Sequence, residues 1–139
     1  MRVFIDTSAW VTLADADDAN HATAHRLWNQ LLAVDSQRVI TSYVLLETIS
    51  VLQRRFGMQT IPPFLGYLLY VQIEWVDEAL HQQGLRLFLQ ENRRSLSLVD
   101  CTSFEFMRNE GIQIAFCFDA HFSEFGFDIL SEAHFPSSP

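Results

Sequence analysis

At 139 residues the chain has the length of one ordinary domain, and its 49% apolar content excludes a disordered polymer. A net charge of -8 argues against broad electrostatic capture of nucleic acid. The longest apolar stretch, Ile61 to Ile73, is broken by Pro62, Pro63 and Gly66 and is too short to cross a bilayer.

Arg2 to Asp6 reads as a short strand ending on an acid, followed by a helix through Trp10, Val11 and Leu13 for which Thr7 or Ser8 is the expected cap. A polar loop holding Asp15, Asp17, Asp18 and Asn20 leads into a second helix, with Ala24, Leu27, Trp28, Leu31 and Leu32 at helical spacing. Arg38 to Thr41 reads as the second strand. Ser42 is the expected cap of a helix from Tyr43 to Phe56, which Gly57 stops. Thr60 to Tyr70 reads as helix, Val71 to Val76 as the third strand, and Asp77 to Glu91 as helix again. Ser97 caps a helix holding Val99, Asp100, Phe104 and Met107, and Asn109 to Gly111 end it. Ile112 to Phe118 reads as a fourth strand, apolar enough to be covered on both faces, with Asp119 directly after it. Phe127 to Leu130 completes the series as an edge strand, and the segment from Ser131 is expected to fray.

Strands alternating with helices predict a three-layer α/β/α fold around a mostly parallel sheet of four to five strands, as a single domain over residues 1–130 with a tail at 131–139. In such folds ligands bind beyond the carboxyl ends of the strands. Asp6 and Asp119 fall at such ends, and Glu47 and Asp100 lie in early turns of helices that start at the same rim. Acids inside apolar arcs are rarely buried without a partner. Four of them on one rim predict a shared divalent cation, and a hard ion such as Mg²⁺ or Mn²⁺ suits carboxylate oxygens. Thr7 and Ser8 either place hydroxyls near that ion or cap the helix.

All nine basic side chains other than His are Arg. Without Lys, a Walker A loop and the phosphoaspartate chemistries are disfavoured, whereas metal-assisted hydrolysis by carboxylates survives. Arginine forks suit phosphate, so Arg54, Arg55, Arg93 and Arg94 are candidate contacts to an RNA backbone, with solvated helix faces as the alternative. His21 and His25 share a helix face but lack the adjacent Glu of a zinc protease and read as surface residues; His121 is placed either to meet substrate or to pack. Cys101 and Cys117 have no metal or redox spacing and are expected to be free buried thiols of a soluble cytoplasmic protein without a signal peptide.

Four segments carry a resemblance: Val3-Phe4-Ile5-Asp6-Thr7-Ser8, Ser42-Tyr43-Val44-Leu45-Leu46-Glu47, Ser97-Leu98-Val99-Asp100, and Phe118-Asp119-Ala120-His121-Phe122 with Gly126-Phe127. From Met1 to about Leu130 the chain resembles the PIN-domain nucleases, especially the VapC-like toxins of prokaryotic type II toxin-antitoxin pairs. The resemblance implies a Mg²⁺- or Mn²⁺-dependent endoribonuclease in which Asp6, Glu47, Asp100 and Asp119 are at once the metal ligands and the catalytic residues. It implies a metal-activated water and products with a 5′ phosphate and a 3′ hydroxyl. An RNA substrate of the tRNA or rRNA class, a homodimer and a small antitoxin over the acidic crevice are implied with it; Phe64, Leu65, Leu68, Leu69 and Tyr70 either serve an interface or, as is commoner for such residues, pack into the core. Cys117 departs from the pattern, standing where relatives often carry Thr. A housekeeping PIN-type RNA-processing nuclease shares this chemistry, and a PIN-like module that binds RNA or protein without cleaving is the alternative outside enzymology.

Overall fold

A computed structural model describes residues 1–137. In chain order its elements are β1 (Arg2–Ile5), α1 (Thr7–Ala14), α2 (His21–Ala33), β2 (Gln37–Thr41), α3 (Ser42–Phe56), α4 (Ile61–Tyr67), β3 (Gln72–Glu74), α5 (Glu78–Glu91), α6 (Leu98–Glu110), β4 (Ile114–Phe116), α7 (His121–Glu124) and β5 (Asp128–Ile129). The five strands form one sheet in the order β3-β2-β1-β4-β5, and every pairing is parallel. Val3, Phe4 and Ile5 are all wholly buried. Successive strand residues point to opposite faces, so β1 must be covered on both, which makes the sheet the middle of three layers.

Two aromatic groups fill the core. Trp10 packs against Trp28, Phe64 and Tyr67, and Phe104 packs against Phe122, Phe125 and Phe127. Phe64 therefore belongs to the interior, unlike Leu65, Leu69 and Tyr70, which are exposed. Both cysteines are free and buried, and burial pushes the Cys101 thiol up to about 11 and the Cys117 thiol up to about 12, so neither is a reactive thiolate. No helix among the described residues is long and apolar enough to cross a membrane.

Several local expectations are corrected. Asp6 itself caps α1, replacing Thr7 or Ser8, and Thr41 caps α3 by accepting from the Val44 amide. Ser42 instead accepts from the Val76 amide, fastening α3 to the segment after β3. The helix expected over Thr60 to Tyr70 is split, with α4 flanked by 3₁₀ turns at Met58–Thr60 and Leu68–Tyr70. The segment after Ser131 does not fray at once: Glu132–His134 form a 3₁₀ turn, Glu132 pairs with Arg26, and Phe135 is buried, so apolar contact holds it down. The end of the expected tail, residues 138–139, lies outside the described residues.

Helices α5 and α6 approach closely at Gly84. A Cβ there would lie 2.2 Å from Thr102 Oγ1 and 2.9 Å from the Thr102 backbone Cα. Alanine is the better helix former by about 1 kcal/mol, yet overpacking of this kind costs about 1 to 3 kcal/mol. Gly84→Ala is therefore expected to lower stability in urea denaturation, against its helix propensity. An unchanged or raised midpoint would show that α5 and α6 can separate cheaply.

Candidate metal centre and active site

The central position of β1 brings the rim residues together. Asp6 follows its last residue and is only 3% exposed. Its Oδ2 accepts from the Ser8 amide at 3.1 Å and the Ser8 hydroxyl at 2.7 Å, while Oδ1 is buried without a hydrogen-bond partner. Ser8 Oγ in turn accepts from the Phe118 amide at 3.0 Å, tying the chain beyond β4 to the start of α1. That tie explains why β4 stops at Phe116 and not at Phe118: the next residues leave the ladder to carry Asp119 across the rim.

Glu47 lies in the second turn of α3, with Val51 and Arg55 following at successive four-residue steps on the same face. The Thr7 hydroxyl, which accepts from Thr48 Oγ1 at 3.2 Å, lies beside it. Asp100 sits in the first turn of α6 and completes a capping box, its Oδ2 accepting from the Ser97 amide at 3.1 Å while its own amide donates to Ser97 Oγ at 3.0 Å. Asp119 Oδ1 accepts from the His121 amide at 2.8 Å.

Asp6, Glu47, Asp100 and Asp119 line one cleft of about 440 Å³, together with Thr7 and Ser8. Burial pushes the Asp6 carboxyl up to about 7; the two Ser8 hydrogen bonds hold it back, and Asp100 and Glu47 add repulsion. Glu47 and Asp100 are also raised, in each case first by burial. Thr7 tempers the rise at Glu47, the Ser97 amide tempers it at Asp100, and the neighbouring acids reinforce both. Proteins seldom crowd carboxylates into a partly desolvated site with one oxygen orphaned unless a cation completes it. The donor set is all oxygen apart from His121, whose ring meets Asp119 and Asp100, so the cleft fits a small divalent ion.

Of the four candidate arginines, only Arg55 lines this cleft. Arg54 does not, and Arg93 forms a two-pronged pair with Glu124 beside a separate hollow that Arg94 also lines. Sequence reasoning passed over Asp18 and Asn20, which reach the cleft from the loop before α2. Their signal was the acidic run ahead of that helix, where Asp18 Oδ1 accepts from the Asn20 amide at 2.7 Å. His21 and His25 stack edge to face and do not line the cleft, and His21 Nδ1 meets the Thr12 carbonyl.

Known proteins match both the sequence and the shape. The PIN domain family profile matches residues 3–128. The "23S rRNA-specific endonuclease VapC20" of Mycobacterium tuberculosis, in strains CDC 1551 / Oshkosh and H37Rv, is 41% identical over 128 residues, spanning 90% of this chain and 95% of the relative. The crystal structure of M. tuberculosis VapC20, a sarcin-ricin loop cleaving toxin, superposes with a TM-score of 0.80 at 37% identity, over 90% of this chain and 95% of that one. VapBC2 from Rickettsia felis, solved with a promoter DNA fragment, matches with a TM-score of 0.67 at 13% identity, over 94% of this chain and 98% of that one, a likeness of fold alone.

Proposed function

The chain belongs to the PIN domain family, and on that premise we propose that it is a metal-dependent endoribonuclease acting as the toxin of a toxin-antitoxin pair. The observation that carries this reading is the cleft itself, lined by four carboxylates from distant parts of the chain, of which Asp100 and Asp119 lie within ligand range of one another and Asp6 keeps one buried oxygen without a partner. The substrate is ribosomal RNA, the class cleaved by a relative that matches nearly the whole chain. A small antitoxin, a homodimer and a cytoplasmic setting complete the proposal, with residues 1–130 as the catalytic domain.

Asp6, Glu47, Asp100 and Asp119 would hold Mg²⁺ or Mn²⁺. When bound, such an ion supplies the positive charge that acidifies a water and offsets the charge developing on a phosphodiester. The chain's own contribution is placement. Ser8 holds Asp6 through two hydrogen bonds and anchors the approach to Asp119, and the Ser97 capping box sets the Asp100 rotamer, so neither carboxylate must reorganise as charge develops. Arg55 offers a guanidinium to the RNA backbone about 12 Å along α3 from Glu47, beyond the group being hydrolysed.

Incubating the protein with ribosomes or total RNA and Mn²⁺ should yield discrete fragments whose 5′ ends carry a phosphate, and EDTA should stop the reaction. Undiminished cleavage in EDTA would remove the metal from the mechanism. Arg55→Ala is expected to raise KM for RNA about 10-fold with little change in kcat. Arg93→Ala should do much less, because Glu124 already holds that guanidinium. Equal effects of the two variants in steady-state kinetics would deny Arg55 its role.

A further inference from the structure

The acids account for an oxygen-only centre, yet the same rim holds a nitrogen donor. His121 opens α7, two residues past Asp119, and its backbone amide donates to Asp119 Oδ1, which locks the two residues to one another. Its ring is turned inward. Nδ1 is buried, lies 2.9 Å from Asp119 Oδ1 and 3.9 Å from Asp100 Oδ2, and has no hydrogen-bond partner of adequate geometry. One donor atom each from Asp100, Asp119 and His121 falls within 4.8 Å of the others.

These separations have a simple meaning in coordination chemistry. With ligand bonds of about 2.1 Å, two donors cis to one another on an octahedral ion lie about 3.0 Å apart and two trans donors about 4.2 Å apart. The observed 2.9 Å is a cis separation, and 3.9 Å falls between the cis and trans values, so a small turn of the ring or carboxylate completes the geometry. Independently, Asp6, a residue almost wholly buried that lines the same cleft, keeps one carboxylate oxygen without a hydrogen-bond partner.

We propose that His121 is a direct imidazole ligand of the metal centre, alongside Asp100 and Asp119, and that it biases the cleft toward Mn²⁺ over Mg²⁺. The proposal rests on the reading of this cleft as a metal centre and adds a nitrogen to its carboxylates. Imidazole suits transition metals, whereas Mg²⁺ holds to oxygen ligands and water, so one nitrogen in the set shifts the balance between them. The rival is an imidazole that only pairs with Asp119 and tunes the charge of the site. Such a group would favour or disfavour both ions alike.

The full-length protein labelled with ¹⁵N-histidine and loaded with Mn²⁺ should show histidine nitrogen coupling in pulsed EPR. His121→Gln should abolish that coupling and weaken Mn²⁺ binding by at least about 10-fold in calorimetric titration, with much less change for Mg²⁺. A cooperative melting transition in EDTA confirms that the variant is folded, and His121→Asn serves if the Gln variant fails that test. Bound Mn²⁺ without histidine coupling in the parent, coupling that persists in the variant, or equal losses for both ions would overturn the proposal and leave the carboxylate metal centre standing. No Mn²⁺ binding at all would overturn both together.

Discussion

Asp100→Asn should lose RNA cleavage by at least about 100-fold while remaining folded. The substitution separates two roles that one carboxylate performs. As the third residue of α6, Asp100 accepts from the Ser97 amide, and an Asn oxygen can accept the same hydrogen bond, so the cap survives. Any cost to stability should stay below about 1 kcal/mol, the usual worth of a cap. The negative charge is lost, however, and with it an acid that faces Asp119 across the cleft. Asp100→Ala is the control, since it removes both cap and charge and should lower the melting temperature as well as the activity. Cleavage by Asp100→Asn at the parent's rate, measured on RNA with saturating Mn²⁺, would place the chemistry elsewhere.

The second large effect concerns stability and runs in the opposite direction. In metal-free protein, Asp6→Asn should be more stable than the parent above pH 7 by an amount on the order of a few kcal/mol. Burial raises the folded-state pKa of Asp6 to about 7, well above its ordinary value of 3.8. Between those two values the folded chain holds a proton that the unfolded chain has released, so the parent's stability falls as pH rises through that window. Below the ordinary carboxylate range both states are protonated and the penalty vanishes. Asn never ionises, so its variant escapes the penalty and should give a flatter profile. Urea denaturation in EDTA from about pH 5 to about pH 9 measures both curves, and a parent profile flat across neutrality would contradict the burial argument. Saturating Mn²⁺ should then narrow the gap, because about 2.7 kcal/mol of linkage at 100-fold excess over the dissociation constant belongs to the chain that binds the ion. Asp6 is a case of a residue that destabilises the empty fold in return for its chemistry.

Much of the architecture was legible because side-chain type and period report burial directly. Arg2 to Asp6 read as a strand ending on an acid and Arg2–Ile5 are one, and Gly57 and Gly111 end the helices they were expected to end. The four acids stood out for the same reason, each set in an apolar context where an acid is costly. Less could be read where the deciding partner is remote. Arg93 looked as free as Arg55, but Glu124, 31 residues on, had claimed it. Ser42 looked like a cap, yet the Val76 amide uses its hydroxyl and Thr41 takes the cap. The inward turn of His121 depends on how the chain leaves β4, which the Phe118 amide and Ser8 settle across 110 residues. Local chemistry offers such side chains several equivalent partners, and only the fold chooses among them.

The parallel pairing of β1 with β4 bears on how such an enzyme is made. Asp6 leaves the ribosome more than a hundred residues ahead of Asp119, and its cleft has no second wall until Ile114–Phe116 have emerged to pair with Val3–Ile5 and Asp119 has followed. Contacts that distant in sequence close late, after the local helices have formed. A prematurely terminated product lacking β4 would carry Asp6, Glu47 and Asp100 but not Asp119, and so would lack one of the four proposed ligands. Translation thus withholds the nuclease until most of the domain has been synthesised, a useful delay for an enzyme whose proposed target is the RNA of the machine producing it.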